Sequence, residues 1–177
     1  LLLDGFLAHL SETVDLGKIE VPSVKRTLKP LGEGRRHFTG LLSENSVPKT
    51  KDTAYYRKWY AGMKEKIAGA AADHAYFEYV PHPESDTLLI AYGIASRVIS
   101  PLKNSYSVFR PIRMFPVLED DIKKAADDHD KIIVVEMNDG QYRGEIQRVL
   151  KRDVISLPVL GGTIKLEEIK EQLKQYT

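Results

Sequence analysis

Apolar residues follow two different regimes along this chain. From about residue 87 onward, short apolar runs alternate with amphipathic segments. Residues 87–92 (Thr-Leu-Leu-Ile-Ala-Tyr), 106–112 (Tyr-Ser-Val-Phe-Arg-Pro-Ile), 131–136 (Lys-Ile-Ile-Val-Val-Glu) and 154–159 read as strands. The third is the clearest: it is β-branched and apolar on both faces, as a buried parallel strand must be. Pro158 restricts the last to an edge or a short run, because proline has no N–H to give the ladder. Helices are expected over 118–128 with Ile122, Ala125 and Ala126 inward, over 140–150 with Ile146, Val149 and Leu150 inward, and from Leu166 with Ile169 and Leu173 inward. A weak helix from Ile94, interrupted near Pro101, fills the first crossover, and Gly161-Gly162-Thr163 makes a turn. Strands alternating with helices over short joints define an α/β fold, a mostly parallel open sheet with helices on both faces.

The first half of the chain lacks this regularity. Residues 12–53 are rich in Pro, Gly, Ser, Lys and Arg and hold no period for long, so they read as an extended linker. Val21-Pro22, Lys29-Pro30 and Val47-Pro48 enforce locally extended backbone. A stretch this long is expected to lie against another domain or chain. Tyr55, Tyr56, Trp59, Tyr60, Met63, Ile67 and Ala71 then recur at helical spacing, giving an amphipathic helix capped by Asp52 or Thr53. Its aromatic stripe is either core or a face for a neighbouring domain. Leu1-Leu2-Leu3-Asp4-Gly5 reads as the end of a buried strand entering a turn, so the chain is expected to be part of a longer polypeptide.

Composition narrows the chemistry more than it names it. With 26 basic and 25 acidic residues among 177, the formal charge is +1, and no one-signed field exists to attract nucleic acid or an anionic membrane. The absence of cysteine removes disulfides, thiolate-ligated iron–sulfur clusters and cysteine nucleophiles from this chain. The apolar runs are far shorter than the roughly 20 residues of a membrane-spanning helix, and the first residues lack a signal peptide's basic region, so a cytoplasmic protein is expected.

No two histidines have metal-ligand spacing, and His82 and His129 read as solvated loop residues. Glu119-Asp120-Asp121 suits a helix start better than a cation site. Neither a Gly-x-Gly-x-x-Gly or Walker loop nor a Gly-x-Ser-x-Gly elbow occurs. No catalytic, cofactor-binding or metal-binding residue is therefore expected. The most informative polar positions are Glu136 and Asn138, at the carboxyl edge of strand 131–136, followed by Gly140 and Gln141. Asn138 can cap the next helix. The polar groups either satisfy the turn's own backbone, or Glu136 and Gln141 reach a partner subunit. The backbone N–H groups after Gly140 offer a place for a small anion.

The segment Phe109-Arg110-Pro111-Ile112-Arg113-Met114-Phe115-Pro116-Val117, followed by an acidic helix and then by Val134-Val135-Glu136-Met137-Asn138-Asp139-Gly140-Gln141, resembles the alpha subunits of 2-oxoacid:ferredoxin oxidoreductases. In that family an Arg-Pro-Ile strand and a Val-Val-Glu-Met-Asn-x-Gly-Gln turn occur in this order in a transketolase C-terminal-like domain. Residues 3–13 look like the end of the pyrimidine-binding domain. Phe38-Thr39-Gly40-Leu41 with Glu44 looks like the linker's Thr-Gly-Leu-x-x-x-Glu region, although Leu42 and Ser43 replace the usual His-Asp. The resemblance covers nearly the whole chain. It divides it into a remnant of the pyrimidine-binding domain over 1–13, the linker and amphipathic helix over 14–83, and a transketolase C-terminal-like domain over 84–177.

The resemblance implies coenzyme-A-dependent oxidative decarboxylation of a 2-oxoacid, with thiamine diphosphate, magnesium and iron–sulfur clusters held by the whole enzyme and none by this part. It implies a beta subunit, ferredoxin and coenzyme A as partners in an oligomer, with Arg110, Pro111, Glu136, Asn138, Gly140 and Gln141 as the interface or turn motif. The competing expectations are a non-catalytic α/β module that binds a small anion at the Gly140 turn, and the C-terminal domain of a 2-oxoacid dehydrogenase beta chain. The Glu136-Met137-Asn138-x-Gly140-Gln141 turn is not expected in the latter.

Overall fold

The computed structural model describes residues 47–176 without a break and, ahead of them, residues 8–11, 13, 15, 17, 20, 22, 23, 25, 30, 33 and 40–45. Most of the expected pyrimidine-domain remnant (1–13), and Phe38 and Thr39 of the linker motif, lie outside the described residues. Ser11–Ala70 makes one compact unit, and Ala71–Thr177 belongs to another.

The first unit is not structureless. Ser43–Glu44 (β1) and Val47–Pro48 (β2) form a small antiparallel hairpin, with Ser43 opposite Pro48 and Glu44 opposite Val47. Asn45 takes φ 48° in its loop, a left-handed conformation that Asn tolerates better than most residues. Helix α1 spans Thr53–Ala72. Asp52 is its cap: a carboxylate oxygen accepts the Tyr55 N–H at 2.9 Å, satisfying one of the N–H groups that a helix start leaves open. The Tyr55 hydroxyl donates to the Ser43 carbonyl at 3.2 Å, tying helix to hairpin. No residue of α1 is buried, and Tyr56 and Trp59 remain 52% and 43% exposed. Among the described residues nothing buries the aromatic stripe.

The second unit is a five-stranded sheet. Its strands are β3 (Phe77–Val80), β4 (Thr87–Ala91), β5 (Ser107–Pro111), β6 (Lys131–Glu136) and β7 (Ile155–Pro158), in the order β3-β5-β4-β6-β7. β4 to β7 pair in parallel, and β3 runs antiparallel on the β5 edge. β3 lies ahead of residue 84, where the sequence pattern starts the sheet domain. Its Phe77 and Tyr79 alternate inward with Glu78 and Val80 outward, and Phe77 stacks on Phe109 at 5.1 Å between ring centroids. β7, with Pro158 at its end, is the other edge strand.

All five residues of β4 are buried, so alternate side chains feed two cores. Leu88 and Ile90 join Phe109, Ile132 and Val134 under α3 (Glu119–Ala126) and α4 (Gln141–Leu150), which contribute Ile122, Ala126, Ile146 and Val149. Leu89 and Ala91 join Ile133, Val135 and Leu157 on the opposite face under α2 (Gly93–Val98) and α5 (Leu166–Leu173), which contribute Ala95, Ile169 and Leu173. The first crossover, interrupted where expected, is six residues of α2 followed by a 3-10 turn over Ser100–Asn104, with Pro101 in its first turn.

One expectation fails: His129 is not solvated but 5% exposed, with its Nδ1 unpartnered among the described residues. Its neighbours Asp127, Asp128 and Asp130 take the solvent positions of the α3–β6 loop, and the ring turns inward between them.

Candidate functional site at the carboxyl edge of the sheet

β4 and β6 are neighbours, yet the chain leaves β4 into α2 on one face and leaves β6 into α4 on the other. Adjacent strands whose exits diverge open a crevice between their carboxyl ends, the usual ligand position of open α/β sheets. Here that crevice is bounded by Tyr92, Ile94, Ala95, Met137 and Asn138 and encloses about 120 Å³. That is well under the roughly 300 Å³ at the lower end of small-molecule pockets.

What fills the edge is the protein's own polar network. Glu136 is completely buried. Its Oε2 accepts the Tyr142 N–H at 2.9 Å and the Tyr92 hydroxyl at 3.3 Å, and its Oε1 accepts the Arg143 N–H at 3.0 Å. Asn138 accepts the Gln141 N–H at 2.8 Å through Oδ1 and donates from Nδ2 to the Tyr92 hydroxyl at 2.8 Å. The Gly144 N–H reaches the Gly140 carbonyl at 3.1 Å. The N–H groups of Gln141, Tyr142 and Arg143, which open α4, are thereby all taken by side chains from the preceding strand and turn, and the helix's own ladder begins at Gly144. Gly140 holds φ +85°, and a Cβ there would stand 3.2 Å from the Ser156 hydroxyl. A side chain at this position is therefore opposed by both backbone and space.

The anion position left open at the Gly140 turn by sequence reasoning is thus already taken by a carboxylate, that of Glu136. This supplies the charge the helix dipole favours. Glu136 is fully buried behind these bonds, so solvent does not reach its oxygens. Tyr142 packs edge-on to Tyr92 at 5.3 Å between centroids, and burial, followed by the neighbouring Tyr92 phenol, pushes its own phenol well above the ordinary tyrosine range. The Tyr142 hydroxyl and Arg113 Nε are buried without a partner among the described residues.

Of the six residues singled out in the sequence, the fold brings Glu136, Asn138, Gly140 and Gln141 into this one network. Arg110 and Pro111 stand on β5 and serve the antiparallel edge instead, where Arg110 pairs with Glu78 at 3.1 Å and Pro111 lies opposite Phe77. Tyr92 and Tyr142 were missed. Tyr92 is 44 residues from Glu136 in sequence, and only the β4–β6 pairing makes them neighbours. Glu119 of the acidic triplet starts α3 and is held ionised, chiefly by the Arg148 guanidinium that donates to it at 2.9 Å. Among the described residues no group of three or more His, Cys, Asp or Glu side chains is placed to hold a metal ion. No described helix is long and apolar enough to cross a membrane.

An open, mostly parallel α/β sheet with a carboxyl edge closed by its own side chains is the class that fold and site define. No protein-family model matches the chain. By sequence it is similar to the 2-oxoglutarate synthase subunit KorA of Archaeoglobus fulgidus, 29% identical over 180 aligned positions covering 96% of this chain and 50% of that subunit. It is also similar to the ketoisovalerate oxidoreductase subunit VorB of Methanothermobacter thermautotrophicus, 30% identical over 122 positions covering 64% of this chain and 35% of that subunit. The chain spans half the length of the first relative and about a third of the second. Its fold is shared with a 2-oxoglutarate:ferredoxin oxidoreductase from Magnetococcus marinus, solved with 2-oxoglutarate, coenzyme A and succinyl-CoA bound. The TM-score is 0.67 at 20% identity, over 79% of this chain and 26% of that one. The sequence relatives are thus subunits of enzymes named for 2-oxoacids.

Proposed function

We propose that this chain is the C-terminal part of the alpha subunit of a thiamine-diphosphate-dependent 2-oxoacid:ferredoxin oxidoreductase, and that this part docks subunits and supports the fold. The observation that carries the reading is the internal use of Glu136. At the edge where such sheets hold ligands, the carboxylate is spent on Tyr142, Arg143 and Tyr92, and the remaining crevice has no room for a cofactor. The likeness to KorA over nearly the whole chain supports the enzyme class.

The chain has no cysteine to ligate iron–sulfur clusters, and among the described residues no group of three or more His, Cys, Asp or Glu side chains is placed to hold a metal ion. In this reading thiamine diphosphate, magnesium and iron–sulfur clusters are bound by other segments and by a beta subunit, and ferredoxin and coenzyme A meet the assembled cytoplasmic oligomer. Residues 14–83 act as linker and helix and 84–177 as the transketolase C-terminal-like domain. The exposed aromatic stripe of α1 in one unit and, separately, Ile112 at 51% and Phe115 at 74% exposure in the other are each apolar surface of the kind that subunit interfaces bury.

Calorimetry tests this directly. Thiamine diphosphate, coenzyme A and 2-oxoacids are expected to show no tight binding to the chain alone, and adding a pyrimidine-binding domain with a beta subunit is expected to restore 2-oxoacid-dependent reduction of ferredoxin. Micromolar binding of thiamine diphosphate by the isolated chain would overturn the reading.

A further inference from the structure

On the sheet face covered by α2, beside the antiparallel edge, lies a groove of about 460 Å³, within the size range of small-molecule sites. Its floor is two cross-strand pairs, Glu78 opposite Arg110 and Val80 opposite Val108. Residues two apart on a strand point the same way, so both pairs look into the groove. Its wall is Ser96, Ser100 and Lys103, whose spacing of four and three stacks them on one side of α2 and the 3-10 turn. The floor is half apolar, since Val80 is 42% exposed beside the buried Val108.

Charge sets what the groove prefers. Arg97, Lys103 and Arg110 line it against the single carboxylate of Glu78, in a chain whose total formal charge is only +1. Arg110 Nη1 donates to both Glu78 oxygens, at 3.2 and 3.1 Å, so these two neutralise each other on the floor. Arg97 and Lys103 have no ion-pair partner among the described residues. Two uncommitted cations at the rim, a hydroxyl at Ser100 and an apolar half-floor form a combination that neither the fold nor the carboxyl-edge network uses.

We propose that this groove binds a small organic oxyanion, a carboxylate or phosphate on a short apolar body. Arg97 and Lys103 take the oxyanion, the Ser100 hydroxyl donates to it, and Val80 and Val108 receive the body. The proposal stands apart from the subunit assignment above and survives or fails without it.

The test is an amide chemical-shift titration of the full chain with butyl phosphate, glutarate and inorganic phosphate at constant ionic strength. Shifts are expected to be confined to residues 78–80, 96–103 and 108–110. Butyl phosphate or glutarate is expected to bind more tightly than inorganic phosphate, which lacks the apolar body. Whichever organic anion binds more tightly names the source, phosphate ester or carboxylate. Arg97→Gln with Lys103→Gln is expected to weaken binding about tenfold or more, since two charge contacts near the surface are lost. Arg148→Gln, on α4, is expected to change nothing. Shifts scattered over basic residues throughout the chain, equal binding of inorganic phosphate, or indifference to the double substitution would overturn the proposal.

Discussion

Helices α1 and α4 both carry apolar residues at helical spacing, α1 much less one-sidedly than α4, and the fold treats them oppositely. α1 has 20 residues and buries none, while α4 has 10 and buries Tyr142, Ile146 and Val149. At their N-terminal ends α1 has a single side-chain acceptor, Asp52, and α4 has three of its opening N–H groups held by Glu136 and Asn138. A stripe of apolar residues at helical spacing states only that a helix can be buried on one side. Whether it is buried depends on a facing surface, which for α4 is built by strands distant in sequence and for α1 is not contributed by the described residues.

Substitutions in the two helices should differ in their cost. The largest expected effect is Ile146→Ala. This side chain is fully buried under the sheet, and its truncation should cost about 2–5 kcal/mol in urea unfolding; a loss below about 1 would mean that α4 is not anchored as described. Next is Glu136→Gln, which puts an amide N–H₂ against backbone donors and should cost roughly 2–4 kcal/mol. Hydrogen exchange at Tyr142 and Arg143 should quicken selectively, which a uniformly destabilised fold would not show.

Tyr142→Phe comes third, because the hydroxyl it removes is buried without a described partner; at neutral pH the change should stay within about 1 kcal/mol of wild type. Its pH dependence is the sharper reading. Burial raises the folded-state pKa of this phenol above its unfolded value near 10, so the folded state holds the proton more tightly. That contribution is fully present below about pH 10 and is lost as the pH climbs above it. Wild type should therefore lose more stability than Tyr142→Phe between about pH 9 and 11, and parallel pH profiles would contradict the buried placement. The smallest effect belongs to α1: Trp59→Ser should change stability by no more than about 0.5 kcal/mol, and a loss above about 2 would show that the stripe has a partner in this chain after all.

Local pattern revealed what local pattern decides. β4 and β6 were legible because continuous β-branched and apolar runs have few alternatives, and α3, α4 and α5 because their inward positions recur at helical spacing. β3 was not: Phe77-Glu78-Tyr79-Val80 alternates correctly, but two prolines follow at Pro81 and Pro83, and its identity as a strand depends on pairing with β5 about 30 residues away. His129 was misread because a run of aspartates around it signals solvent, whereas the direction of one ring in a loop is decided by the packing beneath it. At the site, Glu136, Asn138, Gly140 and Gln141 form a contiguous motif, so their joint role could be anticipated as turn chemistry. Tyr92 and Tyr142 carry no such mark, since a tyrosine at a strand end or in a first helical turn reads as ordinary core.

The carboxylate of Glu136 is an anion that belongs to the chain itself. An anion that arrives from solution holds a helix only while its concentration lasts and can be displaced by a competitor. This one is tethered five residues upstream of the helix it holds, so dilution cannot remove it, and a competing oxyanion would have to enter a fully buried position to replace it. The start of α4 is therefore held from within the chain. Whatever meets this edge meets a finished turn and spends little free energy on ordering it.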